Sequence, residues 1–201
     1  EVLTEDVLKE IYSFYPDILL TRLDEEGEEF NVKLLELPKL IEEYSNNEEG
    51  NTAYLFEDIL VEGFNMFHNV SAKKISGAGN TDIECLYITL KKKFAVEAKS
   101  TKNKLPLLNS GRLNRHREKI GGEYTIVVTP RYVPSVKYDI KHTGIVIITA
   151  STFSEFLYNN IANNCREIDY TDFDDIITQN LGKDISIPIS ELTIKKFASS
   201  S

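Results

Sequence analysis

The residues best suited to chemistry lie together between Gly77 and Ser100, in the stretch GAGNTDIECLYITLKKKFAVEAKS. A glycine-rich turn leads into a strand pattern carrying Asp82 and Glu84. A charged reversal at Lys91, Lys92 and Lys93 then leads into a second strand pattern carrying Glu97 and Lys99. Strand side chains alternate faces with a period of two, so Asp82 and Glu84 share one face, and Glu97 and Lys99 share one face of the next strand. If the two strands pair, up to three carboxylates and one ammonium converge. Packing alone is served by Ile83, Cys85, Leu86, Phe94, Val96 and Ala98, so the acids are extra to that need. The bland alternative is an ion pair of Glu97 and Lys99 on a wet sheet face.

An acidic residue on one strand followed by Glu-x-Lys on the next resembles the signature of the PD-(D/E)XK nuclease superfamily. Here it is Asp82 followed by Glu97-Ala98-Lys99, with Thr81 where the family often has Pro. The resemblance covers roughly residues 50 to 160 and implies a restriction-endonuclease-like α/β/α core around a central mixed sheet, which hydrolyses phosphodiester bonds of double-stranded DNA. It also implies that Asp82, Glu97 and the Ala98 carbonyl, all hard oxygen donors, hold Mg²⁺, with Mn²⁺ able to substitute. Lys99 would orient or deprotonate the attacking water and stabilise the developing charge. Within the superfamily the chain looks like the cleavage domain of a type IIS restriction endonuclease, paired as a homodimer to cut both strands and served by a recognition domain elsewhere in the full-length chain. Archaeal Holliday junction resolvases and Mrr-type nucleases share the core and are the alternative. A non-catalytic DNA-binding or interaction module that keeps the fold is the alternative from another class.

Several elements must position these residues. From Ala53 to Phe67 the apolar side chains Phe56, Ile59, Leu60, Phe64 and Phe67 recur at helical spacing, the mark of an amphipathic helix on a sheet. Glu57 lies at the inner edge of that stripe, where the resemblance implies an additional catalytic acid that binds a second ion or a water beside the first. Downstream come Lys102 and then Arg112, Arg115 and Lys119, the last three spaced as a basic ridge along one helical face, expected to meet DNA phosphates. His116 sits on the same helix; a surface or half-buried imidazole is the favoured reading, and contact with a phosphate is its functional alternative. Residues 71 to 143 hold 15 Lys and Arg against 6 Asp and Glu, while the whole chain carries −9. A positive region around a carboxylate cluster in an acidic protein fits a polyanion groove. Gly77 and Gly79 are followed by neither Gly-Lys-Ser/Thr nor a helix start, so they read as a tight turn, or a close approach of backbone to a DNA strand, rather than a phosphate loop.

The runs YTIVVT and GIVIIT read as buried strands, Gly121-Gly122 stops the basic helix, and Ser151 or Thr152 caps the helix FSEFLYNNIA. Strand, helix, strand, helix is the rhythm of an α/β sheet. The segment IDYTDFDDIITQNLG reads as an acidic helix, and 185–201 as strand or coil. Residues 1 to 50 read as an N-terminal helical extension packed on the core, with a cap at Thr4, a stop at Pro16 and a second helix starting or bending near Pro38. Residues 51 to 201 read as the nuclease core with a C-terminal helical extension. At 201 residues and 41% hydrophobic, the chain can bury one full core. No apolar run approaches a membrane span and no signal peptide is evident. Cys85 and Cys165 are too few and scattered for a disulfide framework or zinc site, and a cytoplasmic setting is expected from them. The start at Glu1 without a methionine suggests a piece of a larger protein.

Overall fold

A computed structural model describes residues 34–75, 77, 79–163, 165 and 167–198. The expected cap at Thr4 and stop at Pro16 lie outside the described residues. In chain order the elements are α1 (34–46), α2 (Ala53–Asn65), β1 (Val70–Lys74), β2 (Ile83–Tyr87), β3 (Lys92–Ala98), α3 (Ser110–Ile120), β4 (Thr125–Thr129), α4 (Val136–Asp139), β5 (Ile145–Thr149), α5 (Ala150–Ala162), α6 (Thr171–Gln179) and α7 (Ser186–Phe197). The five strands form one mixed sheet in the order β1-β2-β3-β4-β5. The β1–β2 and β2–β3 pairs are antiparallel, and the β3–β4 and β4–β5 pairs are parallel.

Alternation along the central strands divides the interior in two. Ile83, Cys85, Phe94, Val96, Ile126, Val128, Val146 and Ile148 face the larger core, which also holds side chains of α1, α2, α5, α6 and α7. Val127, Ile145 and Ile147 face a smaller core closed by Leu113 of α3, Val136 of α4 and Ile140. Helices therefore cover both faces, as the strand–helix rhythm predicts, and the sheet is mixed, as the nuclease resemblance implies.

The structure corrects several boundaries. β1 was not foreseen; only Val70 and Ala72 of its five residues are buried, too few for a clear alternation. The cap of α5 is Thr149, whose side chain accepts from the Thr152 amide at 3.3 Å, rather than Ser151 or Thr152. Pro38 lies in the first described turns of α1, and its carbonyl accepts from Ser154 Oγ at 2.8 Å. The segment expected as strand or coil from residue 185 is the helix α7, which buries Ile189 and Thr193 one turn apart. Its isoleucines favour a strand by propensity, and packing against α5 overrides that preference.

Candidate active site

β2 and β3 pair with Ile83 opposite Val96, and continuing that register by one residue sets Asp82 opposite Glu97. Both side chains thereby leave the sheet on the face covered by α3. The geometry brings them to one ammonium. Lys99 Nζ donates to Glu97 Oε2 at 2.8 Å and lies 3.6 Å from Asp82 Oδ2. Asp82 Oδ2 also accepts from the Ala98 amide at 2.9 Å. Because the N–H and C=O of a strand residue point to the same side, the Ala98 carbonyl is directed toward the side of Asp82 as well. Glu97 is almost fully buried, with 2% of its side-chain surface exposed.

The approach to Asp82 is fixed by its neighbours. Thr81 is buried and its hydroxyl donates to the Val96 carbonyl at 3.1 Å, which ties the residue before Asp82 to β3. A proline there would lack that donor. Gly77 and Gly79 have φ of 108° and 78°, so the turn ahead of Asp82 uses the left-handed region that favours glycine. Burial is the largest influence on Asp82 and raises its pKa above the ordinary 3.8. The Lys99 ammonium opposes that, the Glu97 charge adds to it, the Ala98 amide opposes it, and Glu57 adds a weaker push, with the net result upward.

The remaining expected residues fall into three groups. Glu57, on α2, is close enough for its charge to act on Asp82, but its carboxylate is paired with Lys74 of β1 at 3.0 Å. Lys74 also bonds Asp58 at 2.9 Å, so the unforeseen strand neutralises two acids of α2. Glu84 shares a face with Asp82 and is taken up by Lys93 at 2.9 Å and Lys73 at 3.6 Å, so two carboxylates converge on Lys99 rather than three. Arg112, Arg115 and Lys119 are exposed along α3, which begins at the Asn109 cap and ends at left-handed Gly121. The Lys119 ammonium donates to the Gly79 carbonyl, tying the basic helix to the glycine turn. Lys102 lies apart from that ridge, beside Glu48 at 3.4 Å.

His116 lies deeper than the surface or half-buried imidazole expected of it. It is buried, and its Nδ1 lies 3.2 Å from Glu97 Oε1. Its position three residues after Leu113 was the available signal, because those two are the buried residues of α3.

Among the described residues, no group of three or more His, Cys, Asp and Glu side chains is arranged to hold a metal ion. The donor set is instead two carboxylates and a backbone carbonyl. That set fits a Mg²⁺-type ion, which takes one or two carboxylates and keeps several waters, and does not fit an all-protein cage. Two acids crowded on one lysine, one with a raised pKa, are a place where added positive charge is favourable.

The chain is similar to part of a type II restriction enzyme. Over 194 residues, 96% of the chain, it is 57% identical to the type II restriction enzyme HgaI of Avibacterium volantium. The chain spans 40% of that enzyme's length. No protein-family model matches the chain. Among the described residues, no helix is long and apolar enough to cross a membrane.

Proposed function

We propose that this chain is a metal-dependent DNA endonuclease domain of the PD-(D/E)XK type, the cleavage part of a type IIS restriction enzyme. The observation that carries the reading is the meeting of Asp82, Glu97 and Lys99 on the α3 side of the sheet, with both carboxylates directed at one ammonium. Similarity to a restriction enzyme favours this role over a junction resolvase or an Mrr-type nuclease. The part of that relative beyond the match leaves room there for a separate recognition domain.

Asp82, Glu97 and the Ala98 carbonyl would hold Mg²⁺ or Mn²⁺. When bound, the ion neutralises charge on the scissile phosphate and activates the attacking water. Lys99 orients that water and offsets the charge that develops on the phosphate oxygens, a preorganised cation where negative charge grows. Glu97 and Asp82 hold Lys99 in place before substrate arrives, so its four-carbon stem does not have to be ordered during the reaction. Glu57, paired with Lys74, is an additional acid that can release that lysine and turn to a second ion or a water. Arg112, Arg115 and Lys119 line the approach and bind the phosphates flanking the cut, with Lys102 a more distant contact. Cutting both strands would take two such sites, hence a homodimer on double-stranded DNA.

A plasmid assay tests the reading. The chain is expected to nick or linearise supercoiled DNA with Mg²⁺ or Mn²⁺ and not with EDTA. Asp82→Ala and Lys99→Ala are each expected to lose cutting while keeping EDTA-insensitive DNA affinity. Metal-independent binding with no cutting by the wild type, even when two copies are forced together, would assign the chain to the non-catalytic class instead.

A further inference from the structure

We infer that His116 is the positioning residue for Glu97, fixing one carboxylate oxygen so that the other alone is presented toward Asp82 and a divalent cation. The inference rests on the nuclease reading and adds a residue and a geometry to it. Glu97 divides its two oxygens between two donors. Lys99 takes Oε2 at 2.8 Å, and His116 Nδ1 faces Oε1 at 3.2 Å. An ionised carboxylate only accepts, so Nδ1 is the ring nitrogen that carries the proton and donates.

The terminal torsion of a glutamate is broad and roughly two-fold, so packing along the stem does not settle which oxygen points where. A donor fixed on a neighbouring helix does. His116 is buried on α3 with only 10% of its side chain exposed, and the buried residue one turn before it is Leu113. A position that needed only volume is served by such an aliphatic side chain. A ring nitrogen placed on the one buried acid of β3 supplies a donor as well. Mg²⁺-type ions demand near-ideal octahedral geometry, so a carboxylate free to rotate is a poorer ligand than one held by a hydrogen bond.

The test compares Mn²⁺ binding by calorimetry, without DNA, in the wild-type 201-residue chain and in His116→Asn, His116→Leu and Asp82→Ala. Asparagine places an amide donor close to where Nδ1 stands, while leucine keeps bulk and cannot donate. The asparagine variant is expected to bind Mn²⁺ close to wild type, and the leucine variant to bind about 10- to 100-fold more weakly at an unchanged melting temperature. Should the leucine variant not fold, His116→Ala against His116→Asn poses the same comparison with small side chains. Leucine or alanine binding Mn²⁺ like the wild type, while Asp82→Ala does not, overturns the role of His116 and leaves the nuclease reading standing. An asparagine variant that folds yet loses as much affinity as leucine overturns it too. A wild type whose Mn²⁺ binding is absent, or indifferent to Asp82→Ala, removes the nuclease reading and this inference with it.

Discussion

At the scale of single residues, the site is held under electrostatic tension that the fold tolerates for its geometry. Asp82 is kept partly from water beside Glu97, and its pKa is raised despite Lys99 and the Ala98 amide. A carboxyl with a folded pKa above its unfolded one binds protons more tightly in the fold. Its contribution is therefore most favourable at low pH and declines as pH rises from near 3.8 through the folded value. Asp82→Asn, which keeps an oxygen for the Ala98 amide and removes the charge, is expected to raise stability at pH 7 by roughly 0.5–2 kcal/mol. The gain should shrink as pH falls toward 4, by urea denaturation at several pH values. A loss of stability at pH 7 would show that the Lys99 attraction outweighs burial. The acids and the lysine were legible in sequence because period-two alternation and one register step suffice to bring Asp82 and Glu97 together. The bond from His116 to Glu97 was not legible, because helical spacing shows that a residue faces inward but not which polar group it will meet.

At the scale of elements, α3 serves two purposes with two faces. Its inner side carries Leu113 and His116, and its outer side carries Arg112, Arg115 and Lys119. That division predicts separable effects. Arg112→Ala with Arg115→Ala should leave Mn²⁺ binding intact and reduce the slope of log affinity for duplex DNA against log salt by about two, one per lost phosphate contact. Fluorescence anisotropy in EDTA measures it, and an unchanged slope removes α3 from the DNA surface. On the other side of the sheet, α2 passes close to α1 and α5 at Gly63. A Cβ there would stand 3.0 Å from Phe153 Cε1 and 3.2 Å from Ile41 Cδ1. Gly63→Val is expected to cost about 1–3 kcal/mol through overpacking, read as a lowered urea midpoint. The helical stripe of α2 was evident from its phenylalanines. The need for a glycine within it was not, because close approach of helices leaves no mark in periodicity. β1 escaped for a related reason: its last two residues are Lys73 and Lys74, whose partners Glu84, Glu57 and Asp58 belong to other elements.

At the scale of the whole molecule, the sheet's outer strands are managed at both sides. Asn65 of α2 bonds both the amide and the carbonyl of Ala72 on β1, and the segment before α7 lies along β5 through Gly182, Lys183 and Ile185. These contacts cover backbone groups that would otherwise offer a template for pairing with another chain. The sheet is tied to α6 by a buried polar group at the end remote from the site. Lys92 bonds both oxygens of Asp174 at 3.0 and 2.8 Å, Tyr124 donates to Asp174 at 2.7 Å, and the Tyr124 and Tyr170 hydroxyls are 3.0 Å apart. Burial drives both tyrosines far above 10.0, and the neighbouring Asp174 charge adds to that. Burial, the largest single influence, would lower Lys92, but the bonds and charges of Asp174 and Glu123 together outweigh it and raise Lys92 above 10.5. All three groups keep their protons longer folded than unfolded. Their stabilisation is thus complete below about pH 10 and is lost as pH rises further, by about 1.4 kcal/mol per pH unit for each group that the unfolded chain has released. Tyr124→Phe removes one of the three, so it should lower stability at pH 8 through the lost hydrogen bond and also flatten the decline above pH 10. Urea midpoints between pH 8 and pH 11 measure both effects, and a variant that falls as steeply as the wild type would show that Tyr124 ionises as readily in the fold as outside it.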